Sequence, residues 1–150
     1  MTATAPEAAL TIRPAGEGDA EGLAPLMTHL GYPSTPEQMR ARLARIAAHA
    51  DYRTLAAERA GRLVGMAGVK RGWAYNYDAP YARIVALVVA PQERGRGTGA
   101  ALVAAAEEWA RGEGAAAVHL TTALHRDGAH HFYRRIGYEQ TGVRFVKRLG

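Results

Sequence analysis

The chain contains no cysteine among its 150 residues. This absence excludes a disulfide framework, a thiolate zinc site and a cysteine nucleophile. The sequence also lacks an apolar run long enough for a transmembrane helix, and its first residues lack the basic and apolar regions of a signal peptide. From these absences we expect a cytoplasmic protein with no membrane partner.

Positive charge is in excess, with a net charge of +5, but it is not gathered into a basic tail or stripe. With no recognised nucleic-acid-binding module either, we expect no nucleic-acid partner. The excess fits solubility or an anionic ligand, and composition alone does not separate the two. No repeat or linker indicates a second domain, so we predict a disordered N-terminus at 1–9 and one domain at 10–150.

The most informative stretch is an apolar strand, a glycine loop and a helix in succession. Residues 84–89 are apolar without alternation, which predicts a strand buried on both faces, and Pro91 ends it. Residues 92–99 then place glycine at alternate positions, which leaves backbone N–H groups free to curve around an anion. An apolar helical face follows, formed by Ala101, Leu102, Ala105, Ala106 and Trp109. The loop therefore lies at a helix N-terminus, where a negatively charged ligand is favoured.

Three glycine-loop chemistries compete for this stretch. A Walker loop requires Lys and then Ser or Thr after its last glycine, but Gly99 is followed by Ala100. A dinucleotide fingerprint requires an acidic residue at the end of the next strand, and residues 116–122 contain none. The remaining pattern is Arg-x-x-Gly-x-Gly, which is met by Arg94, Gly97 and Gly99.

This pattern, after the Val-x-Pro strand end at 89–91, resembles the pyrophosphate loop of the GCN5-related N-acetyltransferases, the GNAT family. Residues 126–139 are similar to the family's closing Ala-x-x-Phe-Tyr-x-x-x-Gly-Phe segment. Residues 12–15, followed by Asp19 and a helix, are similar to its opening strand. The three segments occur in the family's order and cover nearly the whole chain.

The resemblance implies an α/β (α+β) fold with a mixed, mostly antiparallel central sheet flanked by helices, its central strands splayed for the cofactor. Periodicity and cap signals predict the elements one by one. Helices are expected from Asp19 to Gly31, after the cap Thr35, after the glycine loop and at 128–135 before Gly137. Strands are expected at 10–13, 52–59, 62–70, 84–89, 116–122 and 143–149.

The resemblance also implies an activity, namely transfer of an acetyl group from acetyl-CoA to a primary amine by direct attack. The acceptor is open between a small amine, an aminoglycoside-like compound, an amino acid and a peptide amine, and relatives are often homodimers. Many relatives carry a glutamate on or just before the central strand, whereas residues 81–86 contain no acid. That departure supports the alternative of an acyl-CoA-binding regulatory or sensor protein with no turnover.

The matched motifs assign site residues. The resemblance implies a general acid at Tyr133, because a phenol with a pKa of about 10 can protonate the departing thiolate. It implies cofactor contacts at Leu87, Val88, Val89, Arg94, Gly95, Arg96, Gly97, Thr98, Gly99, Ala100 and Arg126. Arg126 stands where many relatives carry asparagine. The general base stays open between a water chain, Asp78, His119 and Glu93.

Two further groups of residues have open roles. Adjacent histidines on a helix point about 100° apart, so we predict no metal site from His125, His130 and His131. The segment after residue 71 carries alternating aromatics, which either cover a strand face or line the acceptor cleft. They are Trp73, Tyr75, Tyr77 and Tyr81.

Overall fold

The computed structural model describes residues 8–122 and 127–150, which fall into two compact units that meet in sequence between His119 and Leu120. His125, Arg126 and nearly all of the predicted disordered N-terminus lie outside the described residues. The strands are β1 (Leu10–Pro14), β2 (Tyr52–Arg59), β3 (Arg62–Gly72), β4 (Tyr81–Val89) and β5 (Val118–Leu120). The helices are α1 (Ala20–Leu30), α2 (Pro36–Ala47), α3 (Thr98–Gly112) and α4 (Asp127–Arg135).

The strands form one sheet in the order β1-β2-β3-β4-β5, and β1 to β4 pair antiparallel with their neighbours. The tight turn between β2 and β3 places Ala60 at φ 53° and Gly61 at φ 74°, which is the conformation of the favoured two-residue hairpin turn. Beside β4, the Ala82 N–H donates to the Ala117 carbonyl at 2.9 Å. The predicted fold class, a mostly antiparallel sheet flanked by helices, is confirmed.

Local signals set the helix ends as expected. Thr35 and Gln38 form a reciprocal capping box at the start of α2, with the Gln38 N–H donating to the Thr35 hydroxyl at 3.1 Å. Gly31 ends α1 at φ 107°. Asp19 stands at the N-cap position of α1, but its carboxylate accepts from the Arg13 guanidinium at 2.8 Å instead of capping the helix.

The two faces of the sheet carry different helices. One core lies under α1 and α2, where Leu23, Leu43, Met66 and Val88 are buried together. The opposite face meets α3, since a Cβ at Gly65 would lie 3.0 Å from the Leu102 side chain. The buried stripe of α3 shares Leu102 and Ala106 with the predicted face, and its other apolar members are Val103 and Ala110.

The prediction that residues 84–89 are buried on both faces is wrong. Ile84 and Val88 are buried, but half of the Val85 side-chain surface is exposed. The ladder pairs Gly68 with Ala86 and Val69 with Ile84, so Val85 has no opposite residue and forms a bulge. Val88 lies in the core under α1 and α2, whereas Val85 at the bulge does not, so an apolar run does not by itself lead to burial.

One other strand prediction fails, and one of the two interpretations of the aromatic segment is excluded. Residues 73–80 form no strand, and Trp73 and Tyr75 are exposed at 70% and 112%, so these aromatics do not cover a strand face. Residues 143–149 also form no strand, and Phe145 is 93% exposed. Alternation alone does not make a strand, because a strand also needs a hydrogen-bonded neighbour. Over the described ranges, no helix combines the length and hydropathy that a bilayer span requires.

Candidate functional site

The glycine loop lies between the end of β4 and the start of α3. Pro91–Glu93 forms one turn of 3-10 helix, α3 begins at Thr98, and residues 94–97 between them are exposed. Gly95 and Gly97 have φ values of +81° and +82°, a left-handed conformation that side chains disfavour. A Cβ built at either glycine would meet no atom within 4 Å, so the space beside the loop is open.

The N-terminus of α3 has no side-chain cap. Its N-cap residue is Gly97, whose carbonyl accepts from the Ala101 N–H at 3.0 Å. The amides of the first turn have no intrahelical acceptor, and the helix dipole adds partial positive charge at the same end. Arg94 and Arg96 add two exposed guanidinium groups. This arrangement can bind a phosphate or diphosphate through backbone amides.

A buried carboxylate lies directly behind the loop. Glu93 is only 2% exposed, and its Oε1 accepts from the Arg59 Nε at 2.7 Å and from the Thr98 hydroxyl at 3.1 Å. Its other oxygen accepts from Arg96 at 3.4 Å. Glu93 therefore joins the loop's first turn to the last residue of β2 and to the first residue of α3. These contacts indicate a structural role for Glu93 instead of the base role that the sequence left open.

The surroundings of Glu93 keep it ionised. Burial raises the pKa of its carboxyl, but the hydrogen bonds from Arg59 and Thr98 outweigh burial, and the net pKa lies below the ordinary value of 4.5. The carboxylate is thus charged at neutral pH, where it forms ion pairs with Arg59 and Arg96. This role could not be found from the sequence, because Arg59 is 34 residues away and no local pattern links the two.

A second cluster lies near the start of β4, where three rings meet. The Tyr77 hydroxyl is 3.1 Å from the His119 Nε2, and the Tyr81 ring stacks on the His119 ring with centroids 4.9 Å apart. His119 is exposed, and Tyr77 and Tyr81 are half-buried. The two tyrosines hold the imidazole in one orientation while leaving it accessible. Of the bases considered from sequence, Glu93 is buried and paired with arginine, whereas His119 is both oriented by its partners and exposed.

Tyr133 belongs to the C-terminal unit. It is half-buried on α4, with its ring centroid 5.2 Å from that of Phe132 and 6.1 Å from that of Tyr138. Gly137 at φ +100° ends the helix, and the Tyr138 N–H donates to the Tyr133 carbonyl at 2.9 Å. In the part of the chain that the structure describes, no three His, Asp or Glu side chains are grouped to hold a metal ion.

Comparisons with known proteins agree on one family. A model described as the Acetyltransferase (GNAT) family matches residues 23–138. An aminoalkylphosphonate N-acetyltransferase of Salmonella typhimurium is 37% identical over 91 residues, and the match spans 61% of this chain and 59% of that relative. A GNAT family acetyltransferase of Staphylococcus aureus has a TM-score of 0.81 and 28% identity, with 93% of this chain and 98% of that chain covered.

One of the similar structures was solved with CoA bound. The aminoglycoside N-acetyltransferase AAC(6')-Iy in complex with CoA has a TM-score of 0.86 over 98% of this chain and 99% of that chain. Its sequence identity is 19%, so this similarity shows the fold alone.

We predict that Glu93→Gln lowers the free energy of unfolding by about 3 kcal/mol, because it leaves the buried Arg59 guanidinium without its counter-charge. The native pKa of Glu93 is lowered, so its contribution is complete above about pH 4.5 and is lost as the pH falls further. Denaturant unfolding at pH 7 and pH 3 measures both effects. The matched control is Glu108→Gln, which changes an exposed pair with Arg111. Equal stability of the Glu93→Gln and Glu108→Gln variants at pH 7 would contradict the assignment.

Proposed function

Because the chain belongs to the acetyltransferase (GNAT) family, we propose that residues 10–150 form a single domain that transfers an acetyl group from acetyl-CoA to a primary amine by direct attack. The family match over residues 23–138 confirms the resemblance found in the sequence. The observation that carries the proposal is the open, positively charged loop at the uncapped N-terminus of α3.

Cofactor binding begins at this loop. We propose that the amides of residues 95–100 hold the diphosphate of acetyl-CoA, with Arg94 and Arg96 adding charge. The backbone of Leu87, Val88 and Val89 is proposed to pair with the pantetheine arm. In support, β4 has nine residues and β5 has three. Pairing with β5 can therefore occupy only part of the β4 edge, and the rest can pair with the pantetheine arm. Splaying of these strands and a contact from Arg126 stay predictions.

The chemical step needs a base and an acid. When bound, acetyl-CoA supplies the acetyl group as a thioester, whose carbonyl carbon the amine attacks. We propose that His119 accepts the proton of the amine, since Tyr77 and Tyr81 hold its ring. Tyr133 is proposed to donate a proton to the sulfur as the C–S bond breaks. Asp78 lacks an orienting partner of this kind among the described contacts and Glu93 is paired, so neither has the support that His119 has.

The proposed acceptor is a small molecule with a primary amine. Two proteins similar to this chain are described as acting on such compounds, one as an aminoalkylphosphonate and one as an aminoglycoside N-acetyltransferase. Their compounds differ in charge, so the names alone do not choose between them. A cytoplasmic location and a homodimer remain predictions.

The alternative is a sensor that binds acyl-CoA without turnover. The absence of an acid in residues 81–86 favours it, because many family members carry their base there. The oriented His119 argues against it by supplying a different base. The two functions differ in whether thiol is released when an amine is added.

We predict saturable binding of acetyl-CoA in calorimetry and amine-dependent thiol release in a spectrophotometric assay. Gly97→Val should weaken binding at least about tenfold, because a β-branched residue does not tolerate φ +82° and the loop amides would move. Gly112→Ala is the control, since it lies at the other end of α3 with no atom near its added methyl group.

The outcomes of these assays separate the two functions. Binding without release for a broad amine panel would favour the sensor. Absence of saturable binding would contradict both functions.

We further predict that Tyr133→Phe and His119→Gln each lower kcat about 100-fold, because each variant removes a group that transfers a proton. The KM for acetyl-CoA should stay within about twofold, because neither variant changes the loop that is proposed to hold the diphosphate. Tyr32→Phe, at an exposed tyrosine outside the proposed site, is the control and should keep full turnover. Steady-state kinetics on proteins with unchanged circular dichroism measure this. Full turnover by the Tyr133→Phe or the His119→Gln variant would remove that residue from the mechanism.

A further inference from the structure

The three rings that meet near the start of β4 share one hydrogen bond. The Tyr77 hydroxyl lies 3.1 Å from the Nε2 atom of His119. Within residues 8–122 and 127–150, Tyr77 is the one side chain that forms a hydrogen bond with this imidazole. Nε2 is therefore occupied, and the acid–base chemistry of His119 depends on which of the two groups donates.

Both the backbone and a stacked ring hold the imidazole in place. Two backbone hydrogen bonds, of 2.8 and 2.9 Å, join residues 80–82 to residues 116–117. Tyr81 lies in the first of these segments and stacks on the His119 ring, with the two ring planes 25° apart. The stacked ring restricts rotation of the imidazole, so Nε2 stays directed at Tyr77.

Of these two partners, the hydroxyl of Tyr77 is the better donor. A phenol O–H donates more strongly than a neutral imidazole N–H, and an unprotonated imidazole nitrogen accepts more strongly than a phenol oxygen. We therefore expect Tyr77 to donate to Nε2, which places the proton of the neutral imidazole on Nδ1. His119 is exposed, so the Nδ1–H can donate to water. The basic lone pair of His119 thus faces Tyr77, and an amine in solution does not reach it directly.

We propose that Tyr77 is a further catalytic residue, whose hydroxyl takes a proton from the ammonium group of the acceptor and passes its own proton to Nε2 of His119. This inference rests on the proposed function and adds the residue that contacts the amine. One N–H bond of the ammonium and the O–H bond of Tyr77 break, while a new O–H bond and the Nε2–H bond form. Tyr77 ends neutral and His119 ends as imidazolium. The amine keeps the lone pair that attacks the thioester carbonyl.

Nitrogen NMR on protein with isotope-labelled histidine tests the hydrogen bond without any turnover. At a pH where the imidazole is neutral, we expect the proton of His119 on Nδ1 in the wild type. In the Tyr77→Phe variant Nε2 has lost its donor, so both tautomers should be populated. Tyr32→Phe removes a hydroxyl from an exposed tyrosine outside the cluster and should keep the wild-type tautomer. A wild-type proton on Nε2 would overturn the inference, because Nδ1 could then take the proton of the amine directly.

Kinetics in the thiol-release assay test the transfer itself. Tyr77→Phe should lower kcat about 100-fold, as much as His119→Gln, because the proton then has no path to Nε2. The double variant should stay within about threefold of either single variant, since the two residues act as one unit. Tyr32→Phe should keep the wild-type kcat, and the KM for acetyl-CoA should stay within about twofold in every variant.

The outcomes separate this inference from the function on which it rests. If His119 took the proton directly, removal of the hydroxyl would free Nε2, and the kcat of the Tyr77→Phe variant would be unchanged or higher. That result would overturn the transfer through Tyr77 and leave acetyl transfer intact. Single-variant effects that multiply in the double variant would overturn it as well. No release with any amine, although acetyl-CoA binds, would overturn the proposed enzyme and this inference together.

Discussion

The candidate site depends on the buried ion pair between Glu93 and Arg59, 2.7 Å apart. A loop with two glycines in the left-handed region is costly to order, because glycine loses more conformational freedom than any other residue. Glu93 offsets part of this cost by connecting the 3-10 turn, the end of β2 and Thr98 at the start of α3. The loop can then present its amides in one arrangement before a ligand arrives, so less ordering is needed on binding.

Strand β4 connects the two halves of the proposed reaction. Its C-terminal end leads into the glycine loop, and its N-terminal end carries Tyr81 and Arg83. The bulge at Val85 lies between these ends and leaves the Val85 side chain half exposed. A cofactor held by the loop and an amine beside Tyr81 and His119 would meet along β4, so one short strand could serve both substrates.

Much of the fold was predictable because its signals are local. The capping box at Thr35, the left-handed glycine at Gly31 and the turn at Ala60 and Gly61 each act within four residues. Prediction failed where burial or pairing depends on distant parts of the chain. Val85 is exposed although its neighbours are apolar, and residues 143–149 form no strand although they include Val143, Phe145 and Val146. The loop itself was found from glycine spacing and the family resemblance.

The contacts that give the site its chemistry could not be predicted from the sequence. Tyr77 and His119 are 42 residues apart, and Glu93 and Arg59 are 34 apart, so their contacts follow only from the strand order.

The central claim is that the loop before α3 holds the diphosphate of the cofactor, and backbone amide NMR tests it most directly. In a titration with CoA, we predict that the largest saturable shifts occur at the amides of residues 95–100, with the rest of the first turn of α3 following. The same residues should shift with inorganic pyrophosphate. Saturable binding of CoA that leaves these amides unmoved and shifts another part of the chain would contradict the account.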